Sequence, residues 1–274
     1  MSKEDRTAII LCGGKGSRLG ILGKRLPKSL VQVQNKEVVW YIINILTKNK
    51  FNHLILPTGY KGNLIKNYIK KNKFRLKIEC IETGKNSNIG FRIAKIIKKV
   101  KTDNVLLLNG DAIFDFNINS IYQNHTNKKF DLTFLSSEIT YQYGTIGVEK
   151  GKIKDFRRNL IYDSLSIRNS KKYKAYNYCG MSIIKTHILQ KFVNLYKNDE
   201  NFEQIFFPKM IKKYFCNLEK ITGFWHSIDN IKDNLNFYLL NNAFFDPHNW
   251  GSLNMGVCLR ICKLFHKIHL FFLG

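Results

Sequence analysis

The sequence predicts an α/β fold: a mostly parallel mixed sheet flanked by helices, with an α+β portion in the second half and a C-terminal amphipathic helix. Three observations predict it. Short apolar runs alternate with stretches of helical spacing through residues 7–108, the order that parallel strands and crossover helices produce. The first apolar run opens directly into a glycine-bearing turn, Gly13-Gly14-Lys15-Gly16. Beyond residue 130 the pattern changes to strands joined by a hairpin signal, with two further helical stretches.

Taken in order, residues 7–12 are a short β run, and residues 37–48 carry Val38, Tyr41, Ile42, Ile45 and Leu46 at helical spacing. Residues 53–56 are apolar and bounded by Pro57 and Gly59, which reads as a strand. An amphipathic helix follows over 63–72, with Leu64, Ile65, Tyr68 and Ile69 on one side. Residues 77–81 are the next strand and 89–100 the next helix, through Ile93, Ile96, Ile97 and Val100. The run 105–108 is continuously apolar and ends at Asn109-Gly110-Asp111. In the second half, 131–136 and 144–148 read as strands, and Lys150-Gly151-Lys152 turns the latter into 153–156. Residues 157–172 are polar and irregular, 173–184 return to β character, 187–196 and 202–214 read as helices, and 218–228 as β.

This organisation predicts a domain over 1–245, dividing near 128/129, and a tail over 246–274. In the tail Arg260, Lys263 and Lys267 share one helical face, while Leu259, Leu264, Phe265, Ile268, Phe271 and Phe272 crowd the others. Packing on the domain or on a second subunit, as in a homo-oligomer, is the favoured expectation. Weak contact of residues 253–274 with an anionic membrane surface is the other.

Composition bounds the class. A chain of 274 residues with 44% hydrophobic and 13% aromatic residues buries a full core, which excludes a disordered chain. The charged start, and the lack of any stretch near the ~20 apolar residues of a membrane span, predict a cytoplasmic protein. Six cysteines without a C-x-x-C pair predict free thiols and no structural zinc. The formal charge of +25 is spread along the chain without a nucleic-acid motif. Nucleic acid is therefore not the expected partner; the charge follows a composition in which Lys, Asn and Ile are abundant together, with phosphorylated substrates a modest second cause.

The chemistry-bearing residues fall in four separated segments. The stretch Leu11-Cys12-Gly13-Gly14-Lys15-Gly16-Ser17-Arg18-Leu19 bends tightly after a strand, so bare N–H groups of the glycines approach an anion. Arg18 adds a planar fork and Lys28, after Pro27, a second cation. The spacing is neither G-x-G-x-x-G nor G-x-x-x-x-G-K-[ST], which disfavours a dinucleotide site and a P-loop. The second segment, residues 83–92, is a polar loop opening a helix, with Thr83, Gly84, Ser87, Gly90 and Arg92 as candidate contacts for a nucleotide. Third, Gly110-Asp111 presents a carboxylate at a strand's carboxyl end, where open α/β sheets bind ligands. Fourth, residues 223–230 lead through Trp225 to Asp229, another strand-end carboxylate.

Together these residues resemble the sugar-1-phosphate nucleotidyltransferases, also called NDP-sugar pyrophosphorylases, and most closely their glucose-1-phosphate cytidylyltransferase branch. The opening signature G-G-x-G-[ST]-R-L followed by P-K stands here as residues 13–19 with Pro27-Lys28. The likeness continues through Gly59-Tyr60-Lys61-Gly62, Thr83-Gly84, Gly90-Phe91-Arg92, Gly110-Asp111 and Phe224-Trp225 up to Asp229, over roughly residues 7–242. It implies the Rossmann-like nucleotide-diphospho-sugar transferase fold and a Mg²⁺-dependent reaction of an NTP, CTP favoured, with a sugar 1-phosphate. The products are an NDP-sugar and pyrophosphate.

By the resemblance, Arg18 holds the leaving phosphates, Lys28 stabilises charge near the α-phosphate, and Asp111 and Asp229 share Mg²⁺. Gly144, Arg157, Arg158, Asn177, Gly180 and Trp225 then fall in the sugar-phosphate portion. Two departures stand out. Arg157-Arg158-Asn159 replaces the family's Glu-Lys-Pro, and Asn-x-Gly survives only approximately as Asn177-Tyr178-Cys179-Gly180. Two arginines in place of an acid point to an acceptor more anionic than glucose 1-phosphate, or to a different loop path. GTP-, UTP- and dTTP-using enzymes of the same chemistry remain alternatives. So do a metal-dependent glycosyltransferase and a non-catalytic nucleotide-sugar sensor.

Overall fold

Apolar side chains on both faces of β1 (Thr7–Leu11) decide where the sheet sits: Ala8 and Ile10 enter one core and Ile9 the other. The same alternation recurs in β2 (His53–Thr58), with Leu54 and Leu56 opposite Ile55. A strand buried on both faces needs helices on both faces, and burying each such side chain contributes about 1.5–3 kcal/mol. The structure, a computed structural model, describes residues 5–141, 145–149, 151–157, 160–162, 164–167, 171–194 and 201–228.

The remaining strands of the main sheet are β3 (Lys77–Glu82), β4 (Asn104–Asn109), β6 (Leu132–Ser137), β7 (Asn177–Lys185) and β8 (Cys216–Lys220). β5 (Ala112–Asp115) and β9 (Phe224–Ser227) form a separate antiparallel ribbon. The seven-stranded sheet has the order β8-β6-β7-β4-β1-β2-β3. β4, β1, β2 and β3 pair parallel, as β8 does with β6, while β7 runs antiparallel to both of its neighbours. The mixed, mostly parallel sheet is as the sequence predicts. Both halves of the chain contribute to it.

On one face lies the core that includes residues of α2 (Val38–Lys48), α3 (Gly62–Asn72) and α5 (Ile118–Asn127); on the other lies that of α4 (Ile89–Ile96), α6 (Thr186–Val193) and α7 (Phe202–Lys213). A short helix α1 (Gly20–Arg25) follows the glycine turn.

Several elements depart from the sequence reading. α5 and β5 were not expected between Asp111 and residue 131, because Asn, His and Thr dilute the apolar spacing of Ile118, Ile121 and Tyr122. The helix predicted over 89–100 ends at Ile96, with one 3₁₀ turn over Ile97–Lys99. The polar stretch 157–172 is not irregular throughout. Leu160–Tyr162 pairs with Ile139–Tyr141, and Ser164–Ile167 pairs with Lys171–Lys174. The β stretch predicted over 218–228 is two strands, because the chain breaks at 221–223 and Gly223 packs on the Asp115 carbonyl where a Cβ finds no room. Gly144, Arg158, Asp229 and the predicted tail helix lie outside the described residues.

Candidate functional site

The carboxyl edge of the sheet positions the site. β1 ends at Leu11 beside Asn109 of β4, and Cys12 bridges to Thr58 at the end of β2. The chain then turns through residues 13–16 into a single 3₁₀ turn over Ser17–Leu19. Gly16 takes φ +62°, a left-handed conformation that suits glycine, and its carbonyl accepts the Leu19 N–H at 2.9 Å. A cleft of about 360 Å³ opens here. Of the predicted residues, Leu11, Cys12, Gly13, Gly14, Lys28, Ser87, Arg92, Gly110 and Asp111 line it. Ser29, Asn88, Ile89, Asn109, Asn201 and Phe202 line it as well, although none was a predicted site residue.

Lys28 and Asp111 meet in this cleft. Lys28 Nζ donates to Asp111 Oδ2 at 3.0 Å, with the side chains 15% and 24% exposed. Pro27, extended, delivers Lys28 onto a 3₁₀ turn over Lys28–Leu30, and the lysine stem packs under Gly16, where a Cβ would stand 2.8 Å from Lys28 Cγ. Asp111 sits on the turn between β4 and β5. Gly110 N donates to the Leu11 carbonyl at 3.2 Å, and Ile228 N donates to the Asp111 carbonyl at 2.8 Å. The ribbon of β5 and β9 thereby carries the residue before Asp229 onto Asp111's own backbone.

The N-termini of α4 and α7 face the same cleft through Asn88-Ile89 and Asn201-Phe202. Both asparagines are N-caps: Asn88 Oδ1 accepts Phe91 N at 2.9 Å and Asn201 Oδ1 accepts Gln204 N at 3.1 Å. Two helix N-termini and Lys28 against Asp111 make a cleft that favours an anion. On the first turn of α7, burial and then the charge of Asp111 raise the Glu203 carboxyl above its usual range.

Arg92, in the cleft wall, and Thr83, both candidate nucleotide contacts, make hydrogen bonds within the protein. The Arg92 guanidinium, 5% exposed, donates to the Thr58 carbonyl at 3.1 Å, Thr83 Oγ1 at 2.7 Å and the Gly13 carbonyl at 3.0 Å. Thr83 is fully buried, outside the cleft lining, and donates its hydroxyl to the Thr58 carbonyl at 2.7 Å. Ser87 donates to the Thr83 carbonyl at 2.6 Å. Packing also calls for glycine at 13: a Cβ there would strike the Arg92 guanidinium.

Gly16, Ser17, Arg18, Gly84 and Gly90 stand near the cleft in sequence but do not line it, and Arg18 is exposed on its one-turn helix. Trp225 is not in the cleft wall either. It sits on β9 opposite Phe114 and packs against the main core, its buried indole N–H without a hydrogen-bond partner among the described residues. Asn177 pairs with Ser137 on the neighbouring strand. Gly180, at φ +67°, packs against the Asn109 side chain that lines the cleft. Arg157 pairs along the backbone with Thr145.

Burial pushes the Cys12 thiol up to about 12, partly offset by the Ser29 hydroxyl, so it stays a neutral wall residue. Cys12, Cys80, Cys179 and Cys216 are free thiols, as predicted. Among the described residues no cluster of three or more metal-ligating side chains forms, and no helix is long and apolar enough to cross a membrane.

A profile of the Nucleotidyl transferase family matches residues 7–157, the stretch that carries the glycine turn, Lys28, Arg92 and Asp111. The chain belongs to that family. A protein of Bacillus subtilis (strain 168) named "Probable glucose-1-phosphate cytidylyltransferase" is 30% identical over 179 residues, 58% of this chain and 70% of that one. The D-glycero-alpha-D-manno-heptose 1-phosphate guanylyltransferase of Aneurinibacillus thermoaerophilus is 30% identical over 152 residues, 55% of this chain and 66% of that protein. In three dimensions, HddC from Yersinia pseudotuberculosis superposes with a TM-score of 0.64 at 18% identity, covering 85% of this chain and 98% of HddC. The fold of this nucleotidyltransferase is therefore that of its relatives, with the cleft at the carboxyl edge of the sheet.

Proposed function

We propose that this nucleotidyltransferase condenses a nucleoside triphosphate with a sugar 1-phosphate, releasing pyrophosphate. The observation that carries the reading is the opposed Lys28–Asp111 pair in a cleft walled by the glycine turn and two helix N-termini. A phosphate oxygen of the sugar 1-phosphate attacks the α-phosphorus. The new P–O bond forms as the α–β bridging bond breaks, and pyrophosphate leaves with the electron pair on the opposite side. Both reactants are anions, so the protein's contribution is alignment and neutralisation. Lys28 turns from Asp111 to the α-phosphate, and the backbone N–H groups of residues 13–16 cradle the triphosphate. Arg18, exposed on the turn, closes onto the leaving phosphates.

The donor set suits Mg²⁺, which takes one or two carboxylates and completes its shell with phosphates and water. Asp111 would hold it together with Asp229, a reading supported by the hydrogen bond from Ile228 to Asp111. When bound, Mg²⁺ supplies neutralisation of the phosphate charge. Of the four nucleotides CTP comes first, on the resemblance of the motifs to cytidylyltransferases; GTP is the alternative that the heptose-phosphate relative favours. Arg157 and Arg158 favour an acceptor with a further anionic group, bound by the portion beyond residue 129.

The test is incubation of the protein with Mg²⁺, each NTP and a panel of neutral and anionic sugar 1-phosphates, with product identification by mass. One NDP-sugar with stoichiometric pyrophosphate is expected. No product with any pair overturns the reading, and activity confined to neutral hexose 1-phosphates overturns the anionic acceptor.

A further inference from the structure

We propose that Arg92, although it stands in the cleft wall, acts as a positioning residue: its guanidinium locks the phosphate-cradling turn to the 83–87 loop through its own hydrogen bonds. The proposal deepens the functional reading above and rests on it for the identity of the ligand. Arg92 lies on the first turn of α4 after the Asn88 cap, where a long side chain leans back toward the helix N-terminus and so reaches the sheet edge. There it joins the ends of three different strands. Nη1 takes the Thr58 carbonyl at the end of β2 and Thr83 Oγ1 just past β3; Nη2 takes the Gly13 carbonyl just past β1. Both Nη1 hydrogens and one on Nη2 are thus committed to protein acceptors, three of a guanidinium's five donors.

The surroundings are cut to this ion. A Cβ on Gly13 or on Gly59 would collide with the guanidinium, so two glycines on two loops leave room for the same group. The Gly13 carbonyl also accepts Tyr60 N at 3.3 Å, which ties the two loops a second time. In a planar trans peptide the carbonyl of one residue and the N–H of the next point in opposite directions. Holding the Gly13 oxygen on Arg92 therefore turns the Gly14 N–H away from the guanidinium. Gly14 lines the cleft, and around its Cα nothing stands within 4 Å of a Cβ position. An anion has access to the turn at Gly14.

The mechanism makes a different claim from a direct contact. A guanidinium on the phosphates acts by charge, which lysine keeps. One that fixes three strand ends acts by its fork, which lysine lacks.

The test compares wild type, Arg92→Lys and Arg92→Gln as full-length chains. In ligand-free protein, hydrogen exchange at the Tyr60 and Thr83 amides is expected to quicken by about tenfold in both variants, while β4 keeps its protection. Kinetically, KM for the NTP rises about tenfold in Lys and Gln alike, KM for the sugar phosphate stays put, and the salt dependence of nucleotide affinity is unchanged. Unaltered exchange at both amides overturns the proposal. So does a salt slope that falls by about one with the loops unperturbed, because that is the signature of a lost phosphate contact. Should the Arg92 variants fail to fold, Thr83→Val, which removes one Arg92 acceptor together with the hydroxyl's bond to the Thr58 carbonyl, is expected to speed exchange at the Tyr60 amide, which that carbonyl does not hold; normal exchange at Tyr60 overturns the proposal equally. A wild type inactive with every substrate pair sinks the functional reading alone, and the exchange result still decides whether Arg92 holds the loops.

Discussion

At the scale of single residues, the site turns on one contact. Lys28 and Asp111 neutralise each other at 3.0 Å in a half-buried cleft. Lys28→Ala removes a charge-assisted interaction worth about 1.5–3 kcal/mol, so steady-state turnover should fall by about tenfold or more. A near-normal rate takes Lys28 out of the site. Asp111→Asn should lose turnover while binding nucleotide in EDTA as well as wild type does. Both residues were legible in the sequence because they sit in motifs. Their pairing was not, since 83 positions separate them. Arg92 is legible as a candidate site residue, but its hydrogen bonds to Gly13 and Thr58 are not, because their acceptors are backbone carbonyls, which leave no mark on a sequence.

A second residue sets an acid limit. His125 is buried between Thr133 Oγ1 at 2.8 Å and Asn104 Oδ1 at 3.1 Å, and burial lowers its imidazole to about 4, with Lys185 adding to the effect. The unfolded chain, titrating near 6.5, then binds more protons than the folded one. Stability from this group is complete above pH ~6.5 and is lost as the pH falls through about 4. Urea midpoints should therefore drop between pH 7 and 4.5, and the drop should be shallower in His125→Gln; parallel curves would acquit this histidine.

At the scale of elements, neighbouring glycines of one turn serve different ends. Gly16→Ala forces a left-handed residue at a cost of about 1–2 kcal/mol and sets a Cβ against Lys28 Cγ, so a lower melting temperature and slower turnover should come together. Gly14→Ala meets open space, so its melting temperature should match wild type, and any change should fall on KM for the NTP. Thermal melts and initial rates on the two variants separate these outcomes. The strands of the first half were readable because apolar runs bounded by Pro and Gly leave few alternatives. The contribution of α7 to the cleft was not readable. Asn201 and Phe202 look like an ordinary cap and core residue, and only the return of β6, β7 and β8 to the sheet brings their helix to the edge.

At the scale of the whole molecule, the sheet is built from distant pieces. β4 ends the block of parallel strands from the first half, and its outer edge is covered by β7, from residues 177–185. β6 lies before residue 157, yet both of its partners, β7 and β8, come after it. A fragment of residues 5–157, about the stretch that matches the family profile, keeps β4, β1, β2 and β3 but strips β4 of one neighbour and β6 of two. Expressed alone, it should be insoluble or should lack sharp thermal unfolding; a cooperative melt with dispersed amide resonances would disprove that.

The antiparallel strand gives this a temporal side. A ribosome releases the parallel strands β1 to β4 well before β7 exists, so the nascent protein carries an open flank of unsatisfied backbone groups for as long as those residues take to emerge. Chaperone demand during synthesis, and vulnerability to proteases acting on the growing chain, should both fall when that reversed strand docks and end when β8 closes the far edge of β6.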